Sequence, residues 1–285
     1  MYRHGLNDST RWQGFALRPG DIVISAPSKC GTTWMQMICA LLIFRTPALP
    51  GPLTSLSPWL DMCLRPVDEV SGTLAAQRHR RFIKTHTPLD GLPWRSDVTY
   101  LVVGRDPRDV AVSMNHHRRN LDAEVIHRLL PGSGRAASRP PGDRERVLQW
   151  FQDSLPGLVH HLGQAWERRD DPAVLLAHHA DLTRDLDGEM RRIADRLGIA
   201  VPEREWPALV AAAGFDAMRS RAGELAPDEQ LGLFTSNEAF FRSGRSGQWR
   251  DLLTDDDQAA YDMAVRALAA PGCVDWLHHG STIRS

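Results

Sequence analysis

The chain has 285 residues, with 34 Lys and Arg against 35 Asp and Glu; at a net charge of -1 no global basic field holds nucleic acid, and anion recognition must be local. A composition of 42% hydrophobic and 24% charged residues excludes a disordered chain. Cys30, Cys39, Cys63 and Cys273 form neither a CxxC pair nor a His-rich ligand spacing, which argues against a structural zinc or disulfide framework and fits the reducing cytoplasm.

Asp21 to Ser25, introduced by Arg18-Pro19-Gly20, is a short β-branched run that reads as a buried strand. Ala26 to Gly31 breaks it, and Thr32 or Thr33 is placed to cap an apolar helix from Trp34 to about Arg45, ending before Pro47. The apolar run Ile38 to Phe44 within it is far shorter than the roughly 20 residues that span a bilayer. Met1 to Gly14 has no signal-peptide apolar region, so a soluble cytoplasmic protein with no membrane partner is expected. Pro47 to Pro66 reads as irregular, Val67 to Arg78 as a helix and Arg81 to Lys84 as a strand. Thr99 to Val103 is the clearest buried strand, turning into a helix with Asp106 as N-cap and Pro107 at its first position. Leu129 to Arg146, rich in Pro, Gly and Arg, is expected to form a mobile loop and a candidate lid. Ala173 to Ala177 is a further strand, and Asp181 to Leu197 a helix ending at Gly198. Strands alternating with helices predict an α/β fold of three layers, a central parallel sheet with helices on both faces, in one domain over residues 1–285.

Of the 34 cationic residues only Lys29 and Lys84 are lysines, and a compact ammonium is not interchangeable with a guanidinium at a phosphate or a reacting atom. Lys29 lies in the first strand-loop-helix, which has the form of a phosphate cradle. With Gly31 at the last Gly of G-x-x-x-x-G-K-[ST], Ala26 stands at the first Gly and Thr32 at the Lys, so the register is wrong for an ATPase. No Mg²⁺ carboxylate is evident nearby, and no metal is expected. Lys84 and His86 alternate by two at a strand end, where an open α/β sheet places its ligand crevice, so a cation and a potential base converge on one face. Arg105 offers a planar fork to a phosphate and Ser113 a hydroxyl two turns into the next helix. Phe241 to Arg250 combines flexible glycines with three guanidiniums, again suited to phosphate.

These four segments, in this order, resemble the soluble, cytosolic-type sulfotransferase family, in a bacterial form; its members move a sulfuryl group from 3′-phosphoadenosine 5′-phosphosulfate (PAPS) to an acceptor. Ser28-Lys29-Cys30-Gly31-Thr32-Thr33-Trp34 is similar to the family's K-S-G-T-T-W loop for the 5′-phosphosulfate, with Cys30 at the usual Ser. Lys84-Thr85-His86 matches its catalytic K-T-H segment, and Arg105 with Ser113 the pair that holds the 3′-phosphate. Arg242-Ser243-Gly244 through Trp249 resembles its late R-K-G-x-x-G-x-W segment, with Ser243 at the Lys, and Phe215 with Met218 retains part of its adenine-side segment. The likeness runs from about Arg18 to Tyr261. It departs at His179, where many relatives have Tyr, at Gly214 and Ala213, and over Arg250 to Ala259, where the animal dimerisation pattern is absent, so no oligomeric state carries over.

The resemblance implies transfer from PAPS, leaving PAP, to a hydroxyl of a small-molecule acceptor, with His86 as general base and Lys29 and Lys84 as charge stabilisers. A P-loop kinase or NTPase, or a noncatalytic PAPS-binding protein, is the alternative. Trp59, Phe82 and Phe234 are candidates for the acceptor pocket, and His116 or His117 for a substitute base.

Overall fold

The computed structural model describes residues 1–4, 6–129, 141–227 and 232–281. Four parallel strands, β1 (Ile22–Ser25), β2 (Phe82–Thr85), β3 (Thr99–Gly104) and β4 (Val174–His178), pair in the order β2-β1-β3-β4. Ile24 stands opposite Lys84, Ser25 opposite both Thr85 and Val102, and Gly104 opposite His178. Successive strand residues point to opposite faces, yet Ile22, Val23, Ile24 and Ser25 are all fully buried, so both faces of the sheet are covered. The chain leaves β1 for one neighbour, β2, and then crosses to the other, β3. The strand order therefore reverses between β1 and β3, and their carboxyl ends frame the crevice where such sheets bind ligands.

Helix α1 (Thr32–Phe44) packs on β1 and β2, and its Met37 to Leu42 stretch is wholly buried, as a helix apolar on every side must be. Its N-cap is Gly31 at φ 108°, not a threonine. Thr32 and Thr33 fall inside the first turn, and no side chain caps the end, which leaves its amides for a ligand. Helix α2 (Val67–Ala76) and the irregular stretch before it, with one helical turn at Leu53–Leu56, follow expectation. Helix α3 (Pro107–Asn120) begins as expected: the Asp106 carboxylate accepts the Arg108 N–H at 2.9 Å, with Pro107 at the first position.

Two further expectations need correction. Asp143 to Arg146 is not loop but the first turn of α4 (Asp143–Glu167), a 25-residue helix against β3 and β4. The Glu145 carboxylate reaches back to the Gly142 N–H at 2.8 Å, and this local cap outweighs the Pro- and Gly-rich approach. Residues 130–140 of the expected lid lie outside the described residues. The helix expected over Asp181 to Leu197 is two, α5 (His179–Arg184) and α6 (Leu186–Leu197). Asp185, extended at the junction, accepts the Gly188 N–H at 2.9 Å and starts the second helix anew, a local alternative that aspartate offers to helix continuation. Gly198 ends α6 in the left-handed region, as read from the sequence. Helix α7 (Trp206–Ala213) packs against α1, α8 (Phe215–Ser220) packs against α7, and α9 (Asp255–Leu268) packs on α4. Among the described residues no helix is long and apolar enough to cross a membrane.

Candidate active site

A cavity of about 490 Å³ opens at the carboxyl ends of β1, β2 and β3. Lys29, Gly31, Thr32, Thr33 and Trp34 line it from the loop after β1, and Lys84 and His86 from the end of β2. Arg105 and Ser113 line it from β3 and α3, Phe215 and Met218 from α8, and Arg242, Ser243 and Gly244 from the late glycine-rich segment. Cys30 is the exception. Its thiol is buried in the core and pushed up to about 12 by that burial, and its N–H donates to the Pro27 carbonyl at 3.2 Å.

The β1 loop is wound tightly: Lys29 itself adopts φ 70°, a strained region for a side chain with a Cβ, and its carbonyl accepts from Arg105 Nη1 at 3.2 Å. Lys29 Nζ lies 4.3 Å from the centre of the Phe240 ring. Burial, then the charges of Arg105, Lys84 and Arg242, push its ammonium down to about 7. Two buried polar atoms in this wall, Thr32 Oγ1 and Arg105 Nε, have no hydrogen-bond partner among the described residues. Native structures rarely leave such groups unsatisfied.

Lys84 and His86 do converge. Lys84 Nζ sits 4.0 Å over the Trp59 ring, and the His86 ring stands edge-on to the same indole, with centroids 4.6 Å apart. His86 Nδ1–H donates to the Ala26 carbonyl at 2.5 Å, an acceptor that keeps a proton on Nδ1. Beneath them the buried Asp61 carboxylate accepts from the Thr85 hydroxyl at 2.5 Å and the Thr87 hydroxyl at 2.6 Å, bracing the segment that carries His86.

The late segment reaches the site through Asp109, whose two carboxylate oxygens accept the Gly247 N–H at 2.8 and 3.0 Å. Burial raises the Asp109 carboxyl above its usual range, against the pull of Arg105. Gly244, at φ 60°, approaches so closely that a Cβ there would lie 2.7 Å from the Phe215 ring. Trp34 Nε1 donates to the Ala213 carbonyl at 2.8 Å and its ring meets His179 edge-on at 5.4 Å; His179 itself lines the cavity.

The remaining sequence candidates divide. Trp59 and Phe234 line the cavity, but Phe82 is core, packed against His79, because β2 turns it inward. His117 lines the cavity and His116 does not. Sequence reading missed Asp109, Phe240 and Gln248 as wall residues. Asp109 left a signal in its spacing of four from Ser113 on one helical face, and Gln248 in lying within the glycine- and Arg-rich segment.

Residues 19–272 match the family model described as "Sulfotransferase domain". The chain is 42% identical to the "Glycolipid sulfotransferase" of Mycobacterium bovis, with 98% of this chain and 94% of the relative covered. It is 43% identical, at the same coverage, to the "Glycolipid sulfotransferase" of Mycobacterium tuberculosis. Among solved structures, retinol dehydratase in a complex with retinol and PAP superposes with a TM-score of 0.72 at 24% identity, over 91% of this chain and 83% of that one.

Proposed function

The chain belongs to the sulfotransferase family and is a sulfotransferase, and from that premise we propose that it transfers a sulfuryl group from PAPS to a hydroxyl of a small amphiphilic acceptor. The observation that carries this reading is the convergence, in one cavity, of the only two lysines in the chain, a histidine whose Nδ1–H is held by a backbone carbonyl, and two residues with a buried donor that lacks a partner among the described residues. PAPS, when bound, supplies an activated sulfuryl group whose departure leaves charge on a phosphate.

Lys29, the uncapped first-turn amides of α1 and the hydroxyls of Thr32 and Thr33 hold the 5′ end of the donor. Arg105, Ser113 and the segment Arg242 to Gly244 hold the 3′-phosphate, where the guanidinium forks form charge-assisted hydrogen bonds. Trp34, Phe215, Met218 and His179 flank the base. His86 accepts the acceptor's hydroxyl proton at Nε2 while the Ala26 carbonyl holds its other nitrogen protonated, so the oxygen becomes nucleophilic at a fixed position. Lys84 and Lys29 place positive charge where negative charge accumulates on the departing side. The far end of the cavity, lined by Leu6, Met62, Leu121, Ile126 and Leu233, suits an apolar moiety, in keeping with the glycolipid named for the mycobacterial relatives. All four cysteines are free, which supports a reducing, cytoplasmic setting.

The deciding experiment is transfer of labelled sulfuryl from PAPS to a panel of phenols, alkanols and alkyl glycosides in the presence of a chelator. Transfer that persists without metal is expected. Dependence on Mg-ATP with indifference to PAPS and PAP would overturn the reading.

A further inference from the structure

Helix α3 runs along the cavity and presents Asp109, Ser113, His117 and then Leu121 just past its end, one residue every four, so it crosses from the charged end to the apolar end. At about 1.5 Å per residue, His117 stands about 6 Å beyond Ser113 and as far short of Leu121. It is the last polar residue on this stripe. Its ring packs edge-on against Phe234 and Phe240, at centroid distances of 5.5 and 6.1 Å. Nδ1 is buried and has no hydrogen-bond partner among the described residues. A phenylalanine would pack in such aromatic company without leaving a polar atom unsatisfied, so an imidazole here points to a ligand group that pairs with it.

Resting on the transfer reading above, we propose that His117 is a specificity-determining residue that hydrogen-bonds a second hydroxyl of the acceptor, next to the one being sulfated, so that the preferred acceptors are polyols of the sugar type carrying an apolar group. Burial first, then Lys29, Lys84 and Arg118, push the imidazole down to about 3. It is therefore neutral at working pH, with one N–H and one lone pair to offer a hydroxyl, and too weak a base to replace His86. The apolar group of the acceptor lies beyond it, against Leu121, Ile126 and Phe234, and the reacting hydroxyl lies toward His86.

The test compares hexyl β-D-glucopyranoside with 1-hexanol as acceptors, at concentrations below micelle formation, in wild type, His117→Phe and His117→Asn. Wild type is expected to favour the glucoside in kcat/KM. His117→Phe should lower the ratio of glucoside to hexanol kcat/KM about tenfold, as one lost hydrogen bond implies. His117→Asn, which keeps a polar atom close to the position of Nδ1, should restore part of that ratio. PAP-induced thermal stabilisation retained in both variants would show that the fold and the donor end are intact. A ratio unchanged by His117→Phe, or a wild type that prefers hexanol, overturns the assignment. A wild type that PAP does not stabilise and that sulfates neither acceptor fails the donor reading itself, and the His117 role with it.

Discussion

Lys29 combines a left-handed backbone at φ 70° with an ammonium pushed down to about 7, so in the free protein it is largely neutral above neutral pH. An anionic donor beside it reverses that shift. Binding of PAP at pH 8 should therefore take up close to one proton, and binding at pH 6, where Lys29 is already charged, much less. Calorimetry in buffers of different ionisation enthalpy reads the uptake, and its persistence in Lys29→Met would assign it elsewhere. His86 belongs to chemistry rather than binding: His86→Ala should lower kcat by about 10² to 10⁴-fold with PAP affinity near wild type. A strongly acidic phenol should suffer less than an alkanol from this loss, and near-normal turnover of an alkanol, with chemistry rate-limiting, would remove His86 as the base. Arg105→Ala should weaken PAPS much more than adenosine 5′-phosphosulfate, which lacks the 3′-phosphate. Equal losses for the two donors would show that Arg105 does not read that group.

The elements explain why these side chains meet. Residues that are distant in the chain reach one cavity because β1, β2 and β3 run parallel and deliver their loops to the same edge. The late segment has no strand to place it and depends on the Asp109 carboxylate and on the passage of Gly244 beside Phe215. Asp109→Asn keeps the shape but weakens a charge-assisted bond to the Gly247 amide, and should raise KM for PAPS by about tenfold while moving Tm little. An unchanged KM would mean that the segment holds its place without this tie.

For the whole molecule, the donor site draws its walls from the segments that follow β1 and β3, from β2, α1, α3 and α8, and from the late segment, so filling it couples most of the fold. PAP at about 100 times its Kd should stabilise the native state by roughly 2.7 kcal/mol without added metal. A thermal scan checks this, and a shift with Mg-ATP in place of one with PAP would contradict the donor assignment.

Much of this was legible in the residues themselves. The β-branched runs of β1 and β3, the Asp106-Pro107 helix start and the Gly198 stop are local signals, set by neighbours in the chain, and they appear where the sequence puts them. The two lysines, His86, Arg105 and Ser113 stood out because charge type and spacing carry chemistry before any fold is known. Burial and orientation could not be read in this way. Cys30 was expected at the ligand and lies in the core; Phe82 was a pocket candidate and packs inward; Phe240 drew no notice and faces Lys29. The proton on His86 Nδ1 depends on the Ala26 carbonyl, sixty residues away, and the His117 nitrogen that lacks a partner among the described residues depends on which rings surround it. Local sequence sets which backbone turns and charges exist, whereas only packing decides which polar atoms lose water and which of them are left for a substrate to satisfy.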